Sequence, residues 1–336
     1  MTDEHIGTSC PNDERINDNG LIIADTHCDT IATLLGTRMN IFSNGLHLDI
    51  ERMRKYKGYV QFFAACVNPY YGREYAVKHV IKAIDLFFNQ AEIYKDFMEL
   101  CREPGEIDRA LKQKKVAAIL AVEGGDVLQG ELPVLRLLYR LGIRCMTLTW
   151  NYRNEIADGI LDNETGGGLT PFGRSVVKEM NRLGMIVDLS HVSERGFWDV
   201  MELSEAPVIL SHSNARRLCS HVRNATDDQL AAGKENGGVV CVNFCPDFLN
   251  DSGKAGIADI IKHIEYLAGL IGIEHVGVGS DFDGIGRLPE GMRGVQDVGR
   301  IFDELAKLNY SQEDMEKIAH KNVLGIIEKV CCQKPQ

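Results

Sequence analysis

Along the chain, short and nearly continuous apolar runs alternate with longer stretches in which apolar residues recur every three or four positions. Eight runs stand out, at 21–29, 60–67, 116–124, 142–150, 184–191, 206–213, 237–244 and 275–283. Segments such as "VAAILAV" and "GGVVCVNF" lack the alternation of a half-buried strand, so they read as strands covered on both faces, as in a parallel sheet. The stretches between them read as helices. In "LTPFGRSVVKEMNRLG", Thr170 suits the N-cap and Pro171 the first helical position; Phe172, Val176, Met180 and Leu183 share a face, and Gly184 ends the helix. In "GIADIIKHIEYLAGLIG", Ile260, Ile264, Leu267 and Ile271 recur at helical spacing. Strand then helix, repeated eight times, predicts an α/β fold of the (β/α)8 TIM-barrel type, in a single domain over 21–330. An open doubly wound sheet uses similar strands but calls for a glycine-rich phosphate turn after the first, and "ADTHCDT" is not one.

Composition narrows the partners. The formal net charge is −11, and short basic stretches such as "KQKK" do not offset it, which argues against nucleic acid. The first twenty residues are polar and acidic, without the basic-then-apolar pattern of a secretory signal, and are expected to form a flexible lead over 1–20. No stretch approaches the ~18 apolar residues of a membrane span, and the tail "CCQKPQ" carries no lipid-anchor signal, so the expectation is a soluble, cytoplasmic protein with no membrane partner. The ten cysteines are scattered through a core-rich chain, with Cys28, Cys66, Cys145 and Cys241 inside apolar runs, and read as reduced thiols. Cys241 and Cys245 form C-x3-C without a second pair, which does not make a structural zinc site.

The chemistry lies where the runs end. "LIIADTHCD" closes on His27 and Asp29, "AAILAVEGG" on Glu123, "GMIVDLSH" on His191, "APVILSHS" on His212 and "HVGVGSDFD" on Asp281. In a barrel the C-terminal ends of the strands share one rim, where the active site is built. Residues two apart in a strand point the same way, so His27 and Asp29 form one candidate pair of metal ligands. His191 and His212 end neighbouring strands, about 4.8 Å apart, and form a second. Glu123 has two carboxylate oxygens and can bridge two ions. Imidazole and carboxylate donors favour zinc, with manganese, cobalt or iron as alternatives. Asp281 is the candidate proton carrier, and Asp283, on the alternate face, the weaker one. Arg223, in "CSHVRNATDD", lies where a guanidinium can grip a substrate carboxylate, with His221 beside it.

Taken with "GLHLDIERMRKYKGYVQFFAACV", "MTLTWNYRNEIADG", "ILSHSNARRLCSHVRNATDDQL" and "HVGVGSDFDG", these residues resemble the membrane (renal) dipeptidase family of the amidohydrolase superfamily, from about residue 21 to 327. The resemblance implies a homodimer that cleaves dipeptides with two zinc ions (Zn2+) bridged by Glu123 and a hydroxide. His27 and Asp29 match the ligands of one ion, and His191 and His212 those of the other. Asp281 matches the proton-shuttling aspartate, and Arg223 the arginine near the substrate's carboxyl end. One position departs: where many relatives read Thr-His, placing a histidine over the scissile carbonyl, this chain has Thr149 and Trp150. Trp150, Asn151, Arg153 or the metals themselves then take that role.

The expected function is a zinc-dependent dipeptidase acting on substrates with a free C-terminal carboxylate, including ones with C-terminal D-residues. The alternatives are hydrolysis of another amide, lactam or cyclic amide, and a barrel that binds a ligand without turnover.

Overall fold

The computed structural model describes residues 20–67 and 72–332; most of the expected lead over 1–20 lies outside them. Its centre is an all-parallel sheet of β1 (Ile22–Asp25), β2 (Gly58–Cys66), β3 (Met98–Leu100), β4 (Val116–Glu123), β5 (Ile143–Thr147), β6 (Ile186–Asp188), β7 (Ile209–Leu210), β8 (Val239–Val242) and β9 (Val276–Val278). Pairings run β2-β1-β9-β8-β7-β6-β5-β4, and β2 also pairs with β4, so eight strands close into a barrel. Each of the eight apolar runs supplies one of them. The ninth, β3, is a correction: its three residues pair only with the start of β4, outside the closed ring. A strand this short leaves no periodicity to read.

The paired segments also stop short of the runs. β1 ends at Asp25, β6 at Asp188, β7 at Leu210 and β9 at Val278. Apolarity reports burial, and the chain stays buried for several residues after the ladder ends. His27, Asp29, His191, His212 and Asp281 therefore sit in the turns that leave the strands. His191 (φ 70°) and Asp281 (φ 61°) adopt left-handed backbone there, which re-aims each side chain at a cost borne by the surrounding packing.

Alternate strand residues form two cores. Ala24, Val60, Phe62, Ile119, Cys145, Ile186, Ile209 and Cys241 meet inside the ring, together with Val323, Ile326, Ile327 and Val330 of helix Asn322–Cys331. The other set, including Ile23, Phe63, Leu120 and Val122, packs outward against the helical layer. Helix Pro171–Leu183 follows its sequence: Thr170 Oγ1 accepts from Gly173 N at 2.9 Å, Val176, Met180 and Leu183 are buried, and Gly184 exits at φ 74°. Helix Ile257–Ile271 buries Ile260, Ile264, Leu267 and Ile271 against the barrel. Burying each such side chain stabilises the fold by about 1.5–3 kcal/mol. No helix among the described residues is long and apolar enough to cross a membrane.

Candidate metal centre

Above the C-terminal ends of the strands lies a cavity of about 760 Å3 whose walls include Asp29, Glu123, Trp150, His191, Arg223 and Asp281. The five nominated ligands converge at its base. His27 Nε2 lies 3.3 Å from Asp29 Oδ2 and 3.7 Å from Glu123 Oε1, and Glu123 Oε1 lies 3.0 Å from His191 Nε2 and 3.4 Å from His212 Nε2. The Nε2 atoms of His191 and His212 face each other at 2.8 Å. Asp281 Oδ1 is 3.8 Å from His27 Nε2. His27, Asp29 and Asp281 form one group with metal-ligand spacing, and His27, Glu123 and His212 another.

The strand ends are locked together to hold this geometry. Asp281 N donates to His27 O at 3.2 Å and Asp29 N to Phe282 O at 2.9 Å, so the turns after β1 and β9 register on each other. Asp25 sits below them and accepts from Ser280 N (2.9 Å), Ser280 Oγ (2.5 Å) and His27 N (3.3 Å). Gly284 closes over the cluster, where a Cβ would collide with the carboxylates of Asp29 and Asp281.

A second set of residues fixes the imidazoles. Asn151 Oδ1 lies 2.7 Å from His191 Nδ1, and as an acceptor it requires Nδ1–H, leaving the Nε2 lone pair for the cluster. Ser211 Oγ donates to Asp188 Oδ2 at 2.5 Å and so accepts from His212 Nδ1 at 2.8 Å, which fixes the same tautomer. Asp188 completes its shell with Thr147 Oγ1 (2.7 Å), Ser190 N (3.0 Å) and Ser211 N (3.0 Å). The sequence analysis missed Asp25, Asp188, Asn243, Ser211 and this use of Asn151. The one visible signal was an aspartate ending the apolar stretches "LIIAD" and "GMIVD", where a carboxylate requires buried donors.

The electrostatics point to a missing positive charge. Burial acts to lower the His27 pKa, but Glu123, Asp29 and Asp281 outweigh it and raise it to about 10, so a proton is drawn onto a buried imidazole. His27 Nε2 and Asp29 Oδ1 are nevertheless buried with no hydrogen-bond partner among the described residues. Burial and the positive charge of Arg223 push His191 down to about 4, so it stays neutral, as a ligand must. Unpartnered donor atoms, three converging carboxylates and neutral imidazoles are what a bound dication would satisfy.

The remaining nominated residues divide. Arg223 is buried, lies on the cavity wall, and keeps Nη2 without a hydrogen bond among the described residues; its guanidinium sits 5.6 Å from the Phe248 ring. His221 accepts from Arg223 N at 3.2 Å and shapes that loop. Asp283 turns away from the cluster, accepting from Thr30 Oγ1 at 2.6 Å and His47 N at 2.7 Å. Of the residues nominated for the absent histidine's role, Asn151 is committed to His191 and Arg153 is paired with Asp158. Trp150 lines the cavity and stacks on His191, with ring centroids 6.1 Å apart and planes 24° apart.

A closed parallel barrel with a cluster of histidines and carboxylates at its mouth is the arrangement of a metal-dependent hydrolase. The chain belongs to the membrane dipeptidase family, peptidase family M19, whose model matches residues 15–334. It is 38% identical to an uncharacterized dipeptidase of Schizosaccharomyces pombe, over 91% of this chain and 80% of that one. It is 35% identical to the dipeptidase tcpJ of Claviceps purpurea, over 84% and 69% respectively. Among solved structures, the M19 metallopeptidase dipeptidase AC superposes with a TM-score of 0.87 at 30% identity, covering 94% of this chain and all of its own. A Rhodobacter sphaeroides metallopeptidase, solved with a phosphinate mimic of the dipeptide L-Ala-D-Ala, superposes at 0.86 and 29%, covering 93% and 99%. The protein is thus a dipeptidase of a metallopeptidase family, a hydrolase acting on peptide bonds.

Proposed function

We propose that the chain hydrolyses dipeptides bearing a free C-terminal carboxylate, C-terminal D-residues included, with two zinc ions. His27 and Asp29 would hold one ion, His191 and His212 the other, and Glu123 would bridge them. The reading is carried by one observation: His27 Nε2 and Asp29 Oδ1 are buried and unpartnered within a cluster of carboxylates and tautomer-fixed imidazoles. When bound, such ions supply Lewis acidity and lower the pKa of water. The D-residue preference draws on the phosphinate-bound relative.

The chain's own residues do the rest. Asp281 is buried with one oxygen held by Asn243 Nδ2 at 2.9 Å, and burial pushes its pKa up to about 7 in the protein alone, a value that neighbouring dications would pull down. It would accept a proton from the attacking water and deliver it to the departing amine. Arg223 offers its unpartnered Nη2 to the substrate carboxylate, which limits substrates to short ones. Trp150, which stacks on His191 and lines the cavity, would supply an indole N–H as a neutral donor. That substitution favours a second reading, hydrolysis of another amide, lactam or cyclic amide.

The proposal extends to one domain over 21–330, homodimeric assembly and a cytoplasmic location, where the nine unpaired cysteines among the described residues would stay reduced. Elemental analysis of the purified protein and turnover of a dipeptide panel with L- and D-residues at the C-terminus test the core. Two equivalents of zinc with dipeptide turnover are expected. Metal-loaded protein inert towards the panel but active on a lactam or cyclic imide would select the second reading.

A further inference from the structure

The cavity wall also carries a thiol. Cys66 ends β2 and is only half-buried, opposite Glu123 in the register that pairs β2 with β4. Ligand atoms of Asp29, Cys66 and Glu123 all lie within 4.8 Å of one another, and one carboxylate oxygen of Asp29, Oδ1, is buried without a hydrogen bond among the described residues. The packing sets Cys66 apart from the other strand thiols. Cys28 lies in the outer apolar core, and Cys145 and Cys241 in the inner one, whereas Cys66 belongs to neither and lines the cavity. Its Sγ makes a weak contact with Val67 O at 3.3 Å.

Resting on the metal reading above, we propose that Cys66 is a further ligand for the ion held by Asp29 and Glu123, binding as the thiolate and biasing that position towards soft dications such as zinc, cobalt or cadmium. Coordination exchanges the S–H bond for a sulfur–metal bond and releases one proton to water, with no electron transfer. A sulfur donor among hard carboxylates shifts preference away from manganese and magnesium, which favour oxygen. The same contact makes the bound ion a shield for the thiol against alkylation.

Cobalt(II)-loaded full-length protein tests this by absorption. Bound cobalt gives visible d–d bands whatever its donors, while a sulfur-to-cobalt charge-transfer band in the near ultraviolet appears only with a thiolate ligand. Both are expected in the wild type; in Cys66→Ser the charge-transfer band disappears and the visible bands remain. Visible bands without the ultraviolet band in the wild type overturn the Cys66 assignment and leave the metal centre standing. Absence of bound cobalt by elemental analysis overturns both. A wild-type spectrum without the ultraviolet band decides against Cys66 even if the variant fails to fold. Competitive dialysis gives a second readout: the cadmium-to-manganese affinity ratio is expected to fall by about tenfold or more in Cys66→Ser, on the scale of losing one interaction at a metal site. An unchanged ratio also overturns the proposal.

Discussion

The substitution Asp188→Asn removes no ligand, yet it is expected to disable one. Asp188 Oδ1 takes two backbone N–H groups, from Ser190 and Ser211, and Oδ2 takes two hydroxyls, from Thr147 and Ser211. The amides cannot reverse, so the carboxamide oxygen of the substituted side chain must stay with them and its NH2 must face the hydroxyls. Ser211 Oγ then accepts from the NH2 and has to donate elsewhere. Ser190 Oγ is 3.3 Å away and already accepts from His212 N, whereas His212 Nδ1 is 2.8 Å away, so the imidazole wins. Receiving that hydrogen bond at Nδ1 forces the proton onto Nε2, which loses its lone pair for the cluster. Disturbing such support costs about 10–100-fold in metal affinity, or about 1.4–2.7 kcal/mol. The Thr147 hydroxyl then accepts from the NH2 while its own proton is left without an acceptor, which adds about 1–3 kcal/mol of lost stability, so measurements belong well below the melting temperature. Competition with a chromophoric chelator measures the affinity, and 15N spectra of the metal-free protein report the His212 tautomer. Wild-type affinity for both ions with His212 still protonated at Nδ1 would refute the reasoning.

Asp281→Asn is expected to lower kcat by about 10²–10⁴-fold while leaving metal content intact; steady-state rates beside elemental analysis check it, and an unchanged kcat removes Asp281 from the reaction. Arg223→Met should raise KM for dipeptides by about 10–100-fold, the worth of a charge-assisted hydrogen bond, and abolish discrimination against C-terminally amidated substrates. His320 is buried, has Nδ1 without a hydrogen bond among the described residues, and is held by burial at a pKa of about 4. Unfolded histidine protonates near 6.5, so below that pH the unfolded chain binds the extra proton first, and stability falls until about pH 4, by up to about 3 kcal/mol. Chemical denaturation of wild type and His320→Gln between pH 7 and 4 should show that excess loss in the wild type alone.

The barrel was legible because strands buried on both faces leave continuous apolar runs, and the candidate ligands were legible because each run ends abruptly in a residue of another chemistry. What stayed hidden depends on partners remote in the chain. Asp25 stands openly in "LIIAD", but its role is to grip Ser280, 255 residues away. Asn151 and Asn243 look like ordinary loop amides until His191 and Asp281 are placed against them. The sequence reasoning put His27 and Asp29 together by strand alternation; they do meet, but past the end of β1, beside the single bridge between Cys28 and Phe282. Left-handed backbone at His191 and Asp281 carries no sequence mark, because neither is glycine. Cys66 closes β2 near the end of its run, yet a thiol inside an apolar run reads only as a reduced core cysteine.

The seam between β1 and β9 governs how this molecule can come into being. Until the segment around residue 280 has been synthesised, β1 has one bare edge, Asp25 lacks its hydroxyl partner, and the inner core lacks Val323 to Val330 as its base. A nascent or truncated chain is therefore an open, adhesive sheet, vulnerable to association with its neighbours. Maturation should be slow and nearly all-or-none, and expression yield should depend on chaperone capacity more than on the stability of the finished enzyme.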